Sequence, residues 1–190
     1  MLPKFLLRPF SSSAAPAANP APKFVPVKRE FATGVVAHPS MTVIVHYANL
    51  HRPNIQFESS PLTSFEFTQV KQAVEKVIAV IQNGDEAWGT IEALQHTIGY
   101  RSSAQGLELA HCACAAIDAR AQDATQPELA PNYRGLFIGV MRQIANRSAP
   151  ADFPLASRAW EMLRGLYQDG SADTRGMIGS IAGGQALNRT

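Results

Sequence analysis

The residues best able to do chemistry lie in one short run, His111, Cys112 and Cys114. Zinc sites usually take cysteines two to four residues apart, with a second pair elsewhere in the chain. In a helix, Cys112 and Cys114 point about 200° apart and cannot bind one ion. A disulfide between them would close a strained loop. We therefore expect two reduced cysteines packed in a core.

The remaining candidates do not form a catalytic motif. The five histidines show no pairing at helical spacing; they are His38, His46, His51, His96 and His111. There is no G-x-S-x-G elbow, and the glycines of "RGMIGSIAGGQ" lack the lysine of a phosphate loop. We expect no catalytic, cofactor-binding or metal-binding residues in this chain.

Charge is distributed unevenly along the 190 residues, which carry 17 basic and 15 acidic side chains. Five of the basic ones lie before the first acid, Glu30, so the rest of the chain is mildly acidic. This balance argues against a partner bound mainly through phosphates. No apolar run approaches the roughly 20 residues of a membrane-spanning helix.

The N-terminal sequence predicts a targeting peptide followed by a flexible linker. Residues 1–10 are basic, apolar and free of acids, which is typical of a mitochondrial transit peptide, with cleavage after Phe10 or as late as about residue 30. Residues 11–30 are rich in Ala, Pro and Ser and should form a flexible leader. A merely disordered tail is the alternative.

Residues 31–63 show no helical period, and we predict an extended arm there. "MTVIVHY" is β-branched and favours a short strand over Met41–Tyr47. An arm of this length usually lies on a surface, either that of its own domain or that of a partner. A lone strand could also add to the sheet edge of another chain.

From residue 64 the apolar period becomes helical and predicts an all-α domain over 64–190. Six helices fit between the turn signals, with Ser64, Asn132 and Asp152 as candidate N-caps and Gly99 and Gly170 as stops. Short loops favour about three antiparallel hairpins, a short α-solenoid. The predicted helices lie at about 64–82, 85–99, 103–122, 132–146, 154–168 and 173–187.

The fourth and fifth predicted helices resemble a pentatricopeptide repeat. Tyr133, Leu136 and Phe137 match its first helix, and Ala156, Trp160 and Leu163 match its second. The match covers about forty residues, and the run 66–99 is a looser copy. Tyr167 stands where the family has a glycine, and Gly135 stands where the family carries its small polar base-reading side chain. The resemblance therefore implies a helical-repeat fold more than RNA reading.

A degenerate repeat array behind a transit peptide and an arm is similar to the small extra subunit of the euglenozoan mitochondrial F1-ATPase. That resemblance implies a non-catalytic protein on the matrix side of the inner membrane, docked outside the F1 head of ATP synthase on its α and β subunits. We expect the arm, 31–63, and one face of the helices to make the contact.

The alternative is a mitochondrial pentatricopeptide-type RNA-binding protein. It would need a basic stripe, for which the sequence offers a set of arginines: Arg101, Arg120, Arg134, Arg142 and Arg147.

Overall fold

The computed structural model describes residues 35–49, 61–82, 85–99, 103–123, 125–126 and 129–182. The predicted transit peptide, the leader and the start of the arm lie outside these ranges. The prediction of an all-α fold is confirmed, and no strand occurs in the residues that the structure describes. Within these ranges seven α-helices pack together: α1 Pro39–Asn49, α2 Ser64–Val80, α3 Asp85–Gly99, α4 Ser103–Ala121, α5 Pro131–Ala145, α6 Phe153–Asp169 and α7 Ala172–Ala182.

The strand predicted at Met41–Tyr47 is wrong, because this run forms most of α1. Met41, Ile44, Tyr47 and Ala48 are all buried, at intervals of three, three and one residues, which is a helical period. Burial of these side chains outweighs the β-propensity of the valines between them, because packing in a core contributes more free energy than intrinsic propensity does. The helix begins at Pro39, an accepted first position.

Helix α1 lies on the domain's own body, which was one of the two surfaces considered for the arm. Val36 donates its backbone N–H to Thr90 Oγ1 of α3 at 2.9 Å. The Thr97 hydroxyl lies 3.0 Å from the carbonyl oxygen of Ile44. The apolar side of α1 is therefore used within the fold, and the packed helices include Pro39–Asn49 in addition to those predicted from residue 64.

The helices pack in two layers, with odd-numbered helices in one and even-numbered helices in the other. Each helix contacts the next along the chain or the second next, except that α2 and α3 barely touch among the described residues. The natural hairpins are therefore α1–α2, α3–α4 and α5–α6, followed by α7 alone. The predicted hairpin over 66–99 paired α2 with α3 and is wrong, because it omitted α1.

The even-numbered helices run in the same direction. Leu62, just before α2, exchanges two hydrogen bonds of 2.8 Å with Gln105 near the start of α4. Near the other end, Arg120 Nη1 donates to the carbonyl oxygen of Ile78 at 2.9 Å. Glu108 of α4 pairs with Arg158 of α6. This parallel layer is what repeated helical hairpins produce.

Several predicted helix ends shift by a residue or two. Thr63, not Ser64, caps α2 and forms a capping box with Glu66. Helix α5 begins at Pro131, so Asn132 lies inside it. Asp152 does occupy the N-cap position of α6, although its side chain makes no capping hydrogen bond. The predicted ends of α3 at Gly99 and of α6 before Gly170 are confirmed.

The burial of α1 can be tested with Ile44→Ala. Ile44 is fully buried, so we expect a loss of about 2 to 5 kcal/mol in the free energy of unfolding. Urea denaturation followed by circular dichroism measures it. Thr42→Ala, on the exposed side of the same helix, is the control and should change stability little. Equal stability of both variants would contradict the packing of α1.

Candidate functional site

The predicted cysteine cluster is split between the two sides of α4. Cys114 is fully buried, and Cys112 is buried at the edge of a surface groove. The Cys112 thiol donates a hydrogen bond to Glu75 Oε1 at 3.2 Å. Both cysteines are reduced. The prediction of core packing is confirmed.

Burial sets the protonation of these thiols. It raises the pKa of Cys112 to about 12, and the hydrogen bond to Glu75 raises it further in the same sense. Burial also raises the pKa of Cys114, with a smaller contribution from Asp118. A thiol is nucleophilic only as the thiolate, so neither cysteine is activated at neutral pH.

The histidines are dispersed. His38 accepts the backbone N–H of Ser40 at 3.1 Å, and His96 lies 3.9 Å from Glu92 on the same helix. The His46 ring meets Tyr47 edge-on at 5.0 Å. His51 lies outside the described residues. Within those ranges no three His, Cys, Asp or Glu side chains are grouped to hold a metal ion.

A groove of about 630 Å³ runs between α2 and α4. Its floor is made of small side chains, and charged side chains form its rim; the floor is Ala79, Ala115, Ala116 and Ala119. His111 lies at this rim and also borders a second groove between α4 and α6. Burial lowers the pKa of His111 below its ordinary value, Glu108 opposes this shift and Lys71 adds to it. His111 is therefore neutral at pH 7 and does not form a cationic centre in either groove.

The strongest polar contact lies inside the fold and not in a groove. Arg134 of α5, only 2% exposed, places Nη2 3.0 Å from Asp118 Oδ1 of α4. The fully buried Thr174 of α7 donates its hydroxyl to the same carboxylate at 2.8 Å. These three side chains, here named the buried triad, join α4, α5 and α7. Arg134 Nε has no hydrogen-bond partner, so one buried donor of the triad is unsatisfied.

The structure fits Gly170 closely against this triad. A Cβ added there would lie 2.9 Å from Thr174 Cγ2 and 3.1 Å from Asp118 Oδ2. Such distances are too short for ordinary contacts, so the turn between α6 and α7 depends on a residue without a side chain.

The triad removes Arg134 from the basic stripe that RNA binding would require. Arg120 is also buried and satisfies the C-terminal end of α2. Arg147 lies 3.7 Å from Asp152, and Arg101 is outside the described residues. Of the five predicted arginines, only Arg142 is exposed in the described part of the chain and has no acidic partner within 4 Å there. A continuous basic stripe is therefore not formed by these side chains.

The aromatic side chains divide between core and surface. Phe137 is fully buried and Tyr133 nearly so, whereas Trp160 and Tyr167 are half-buried at the edge of the core. Trp88 is 55% exposed, with its ring centroid 6.4 Å from that of Tyr133. Phe65 and Phe153 are also exposed in the described part of the chain. The sequence could not separate these roles, because large aromatics serve both as core and as interface anchors.

Arg158 of α6 pairs with Glu108 of α4 across the even-numbered layer. Both side chains are at least partly exposed, so the pair contributes only about 0 to 1 kcal/mol to the free energy of unfolding. Its main effect is on the register between α4 and α6.

Comparisons of the chain with protein-family models, with curated proteins and with solved structures found no match. The described helices include none that is both long and apolar enough to cross a membrane. The candidate function therefore rests on the residues and contacts given above.

The protection of the cysteines can be measured by thiol labelling. At pH 8 a pKa of about 12 leaves a thiolate fraction of about 10⁻⁴, so we expect Cys112 to react about a thousandfold more slowly than an ordinary thiol. Both cysteines should label in urea. Ala115→Cys, exposed on the same helix, is the control and should label at once in the folded protein. Fast native labelling of Cys112 would contradict the burial described here.

The buried triad can be tested with Asp118→Ala, which leaves the buried Arg134 with only the part-exposed Asp173, 3.9 Å from its Nη1, as an acidic partner. We expect a loss of about 3 to 5 kcal/mol in the free energy of unfolding. Asp169→Ala, an exposed acid at the end of α6, should have little effect. Because replacement of both partners by apolar residues removes the unpaired charge, Asp118→Leu combined with Arg134→Met should recover most of the loss. No recovery would mean that packing, and not charge, dominates this site.

Proposed function

We propose that this chain is a non-catalytic structural subunit of a mitochondrial complex, bound to the outside of the F1 head of ATP synthase. The proposal combines the N-terminal composition, the resemblance in α5 and α6, and the array of helices found in the structure. The observation that carries it is the character of the described surface, which offers aromatic anchors in place of a stripe of cations.

Aromatic anchors are what a protein partner requires. Trp is the residue most enriched among the side chains that dominate binding energy at interfaces. Trp88 exposes more than half of its surface at the junction of α3 and α5, and acidic residues Glu86 and Glu92 lie on its helix. An exposed Trp on an acidic helix favours a protein surface over a polyanion, because the flanking carboxylates would repel phosphates.

The RNA-binding alternative receives less support from the same surface. Arg134 and Arg120 are buried in the fold, and their guanidinium groups bond to Asp118 and to the carbonyl oxygen of Ile78. At the base-reading position of the resembled repeat, Gly135 offers no polar group to a base. A side chain would fit there, since an added Cβ would lie 3.8 Å from Met177 Sδ.

The structure also changes the expected docking mode. The buried side of α1 packs against α2 and α3, so only its outer side is available to a partner. Docking must then use the outer faces or the ends of the helix array. Removal of residues 31–63 would unfold the first hairpin in addition to any effect on binding.

The proposal predicts that the tagged chain, purified from mitochondria under native conditions, brings the ATP synthase α and β subunits with it. We expect their amounts to be unchanged by RNase, because no nucleic acid bridges the complex. Mass spectrometry of the treated and untreated halves measures this. Ile44→Ala, which weakens the fold, is a useful control for contacts made by unfolded chain.

Two results would contradict the proposal. Absence of α and β subunits would exclude the ATP synthase assignment. Partners that disappear on RNase treatment, with RNA recovered from the untreated half, would favour the RNA-binding alternative.

A further inference from the structure

The described array ends on half a hairpin. Helices α1–α2, α3–α4 and α5–α6 form pairs, and α7 occupies the position of the first helix in a fourth pair. In this packing order each even-numbered helix lies against the next even-numbered one, as α2 does against α4 and α4 against α6. The side of α6 that faces away from α4 is thus the place where a further helix would pack.

That side of α6 carries a line of aromatic rings. Phe153, Trp160 and Tyr167 follow one another at intervals of seven residues, which keeps them within about 40° on one face. Arg158, which contacts α4 through Glu108, points to the opposite side of the helix. We call Phe153, Trp160 and Tyr167 the aromatic stripe.

Among the residues that the structure describes, α7 lies beside only the C-terminal part of the aromatic stripe. A Cβ added at Gly179 would lie 3.8 Å from Tyr167 Cε2, which places α7 beside the last ring. Thr174, earlier in α7, lies beside Gly170, so α7 runs back along α6. The last described residue of α7, Ala182, comes three residues after Gly179, roughly 15 Å before the level of Phe153. Phe153 accordingly remains 55% exposed, and Trp160 is only half-buried.

Two cations flank the aromatic stripe, one beside its uncovered part and one beyond its C-terminal ring. Arg164 lies one turn after Trp160 on the same face of α6, and Arg175 lies one turn before Gly179 on the face of α7 that meets Tyr167. Across the part of the chain that the structure describes, neither side chain has an acidic partner or a hydrogen-bond acceptor. The Nε atom of Arg164 is buried without a partner.

We propose that an acidic amphipathic helix of the partner protein packs against this open end of α6 and α7 and completes the fourth hairpin. Its apolar face covers Phe153 and Trp160, and its carboxylates pair with Arg164 and Arg175. A helix laid into an apolar groove is a common recognition mode, and unpaired cations select its charge. The identity of the partner as the F1 head rests on the proposed function, whereas the location and charge of the surface rest on the contacts above.

The test measures binding of the full chain to purified F1 from which the native copy has been removed. Phe153→Ser should weaken binding by about thirtyfold or more, as loss of a central aromatic anchor does. Arg164→Glu combined with Arg175→Glu should weaken it by about tenfold and abolish its dependence on salt. Phe65→Ser is the matched control, since that ring is 72% exposed in the first turn of α2, and its affinity should stay within twofold.

A photo-crosslinking amino acid at position 153 identifies the occupant. A crosslink to a helical segment of an F1 subunit that contains Asp or Glu supports the proposal. A crosslink within the chain, such as to residues 183–190, or to a second copy would overturn it. Circular dichroism of each variant confirms that the fold is intact before binding is compared.

The binding results separate the two proposals. If wild-type chain binds F1 and Phe153→Ser binds equally well, the open end is not the docking surface, while the proposed function stands. If wild-type chain does not bind F1, the proposed function fails, and the assignment of this helix to F1 fails with it.

Discussion

The ion pair between Arg134 and Asp118 is the interaction on which the C-terminal half of the domain depends. It fixes α5 against α4, and Thr174 joins α7 to the same carboxylate. A buried ion pair adds little net stability when measured against a well-packed apolar pair, but breaking one side of it is costly. Its role here is to set which helices meet and in which register, since an arginine and an aspartate can satisfy each other in few arrangements.

The same interaction shapes the surface. Because the guanidinium of Arg134 points into the core, the described surface of the domain carries fewer cations than the five arginines of the predicted basic stripe would give. The alanine floor of the groove between α2 and α4 and the exposed aromatic rings then dominate what a partner would meet. The arrangement is suited to recognition of shape and apolar surface, with charge limited to the borders.

The sequence predicted the helices of residues 64–182 well, because their apolar residues recur at three- and four-residue steps. It failed at Met41–Tyr47, where β-branched residues concealed a helical period that includes Met41, Ile44 and Tyr47. The missing helix also led α2 to be paired with α3 and not with α1. The burial of Arg134 had a weak signal: Asp118 follows Ile117 in an apolar run of α4, and an acid in such a place requires a buried cation. The exposure of Trp88 and Phe153 had no signal, because it depends on where neighbouring helices end.

Packing between near neighbours also has a consequence for how the chain folds. Contacts between helices adjacent or next-adjacent in sequence give a short average loop to close, and such topologies fold quickly. The α1–α2 hairpin needs only residues up to Val80, so it can form before the later residues have been synthesised. The bond from Thr174 to Asp118 spans 56 residues and requires α7. The bond from Val36 to Thr90 spans 54 residues and requires α3. Both ends of the described array therefore depend on a hydrogen bond that skips at least one helix along the chain.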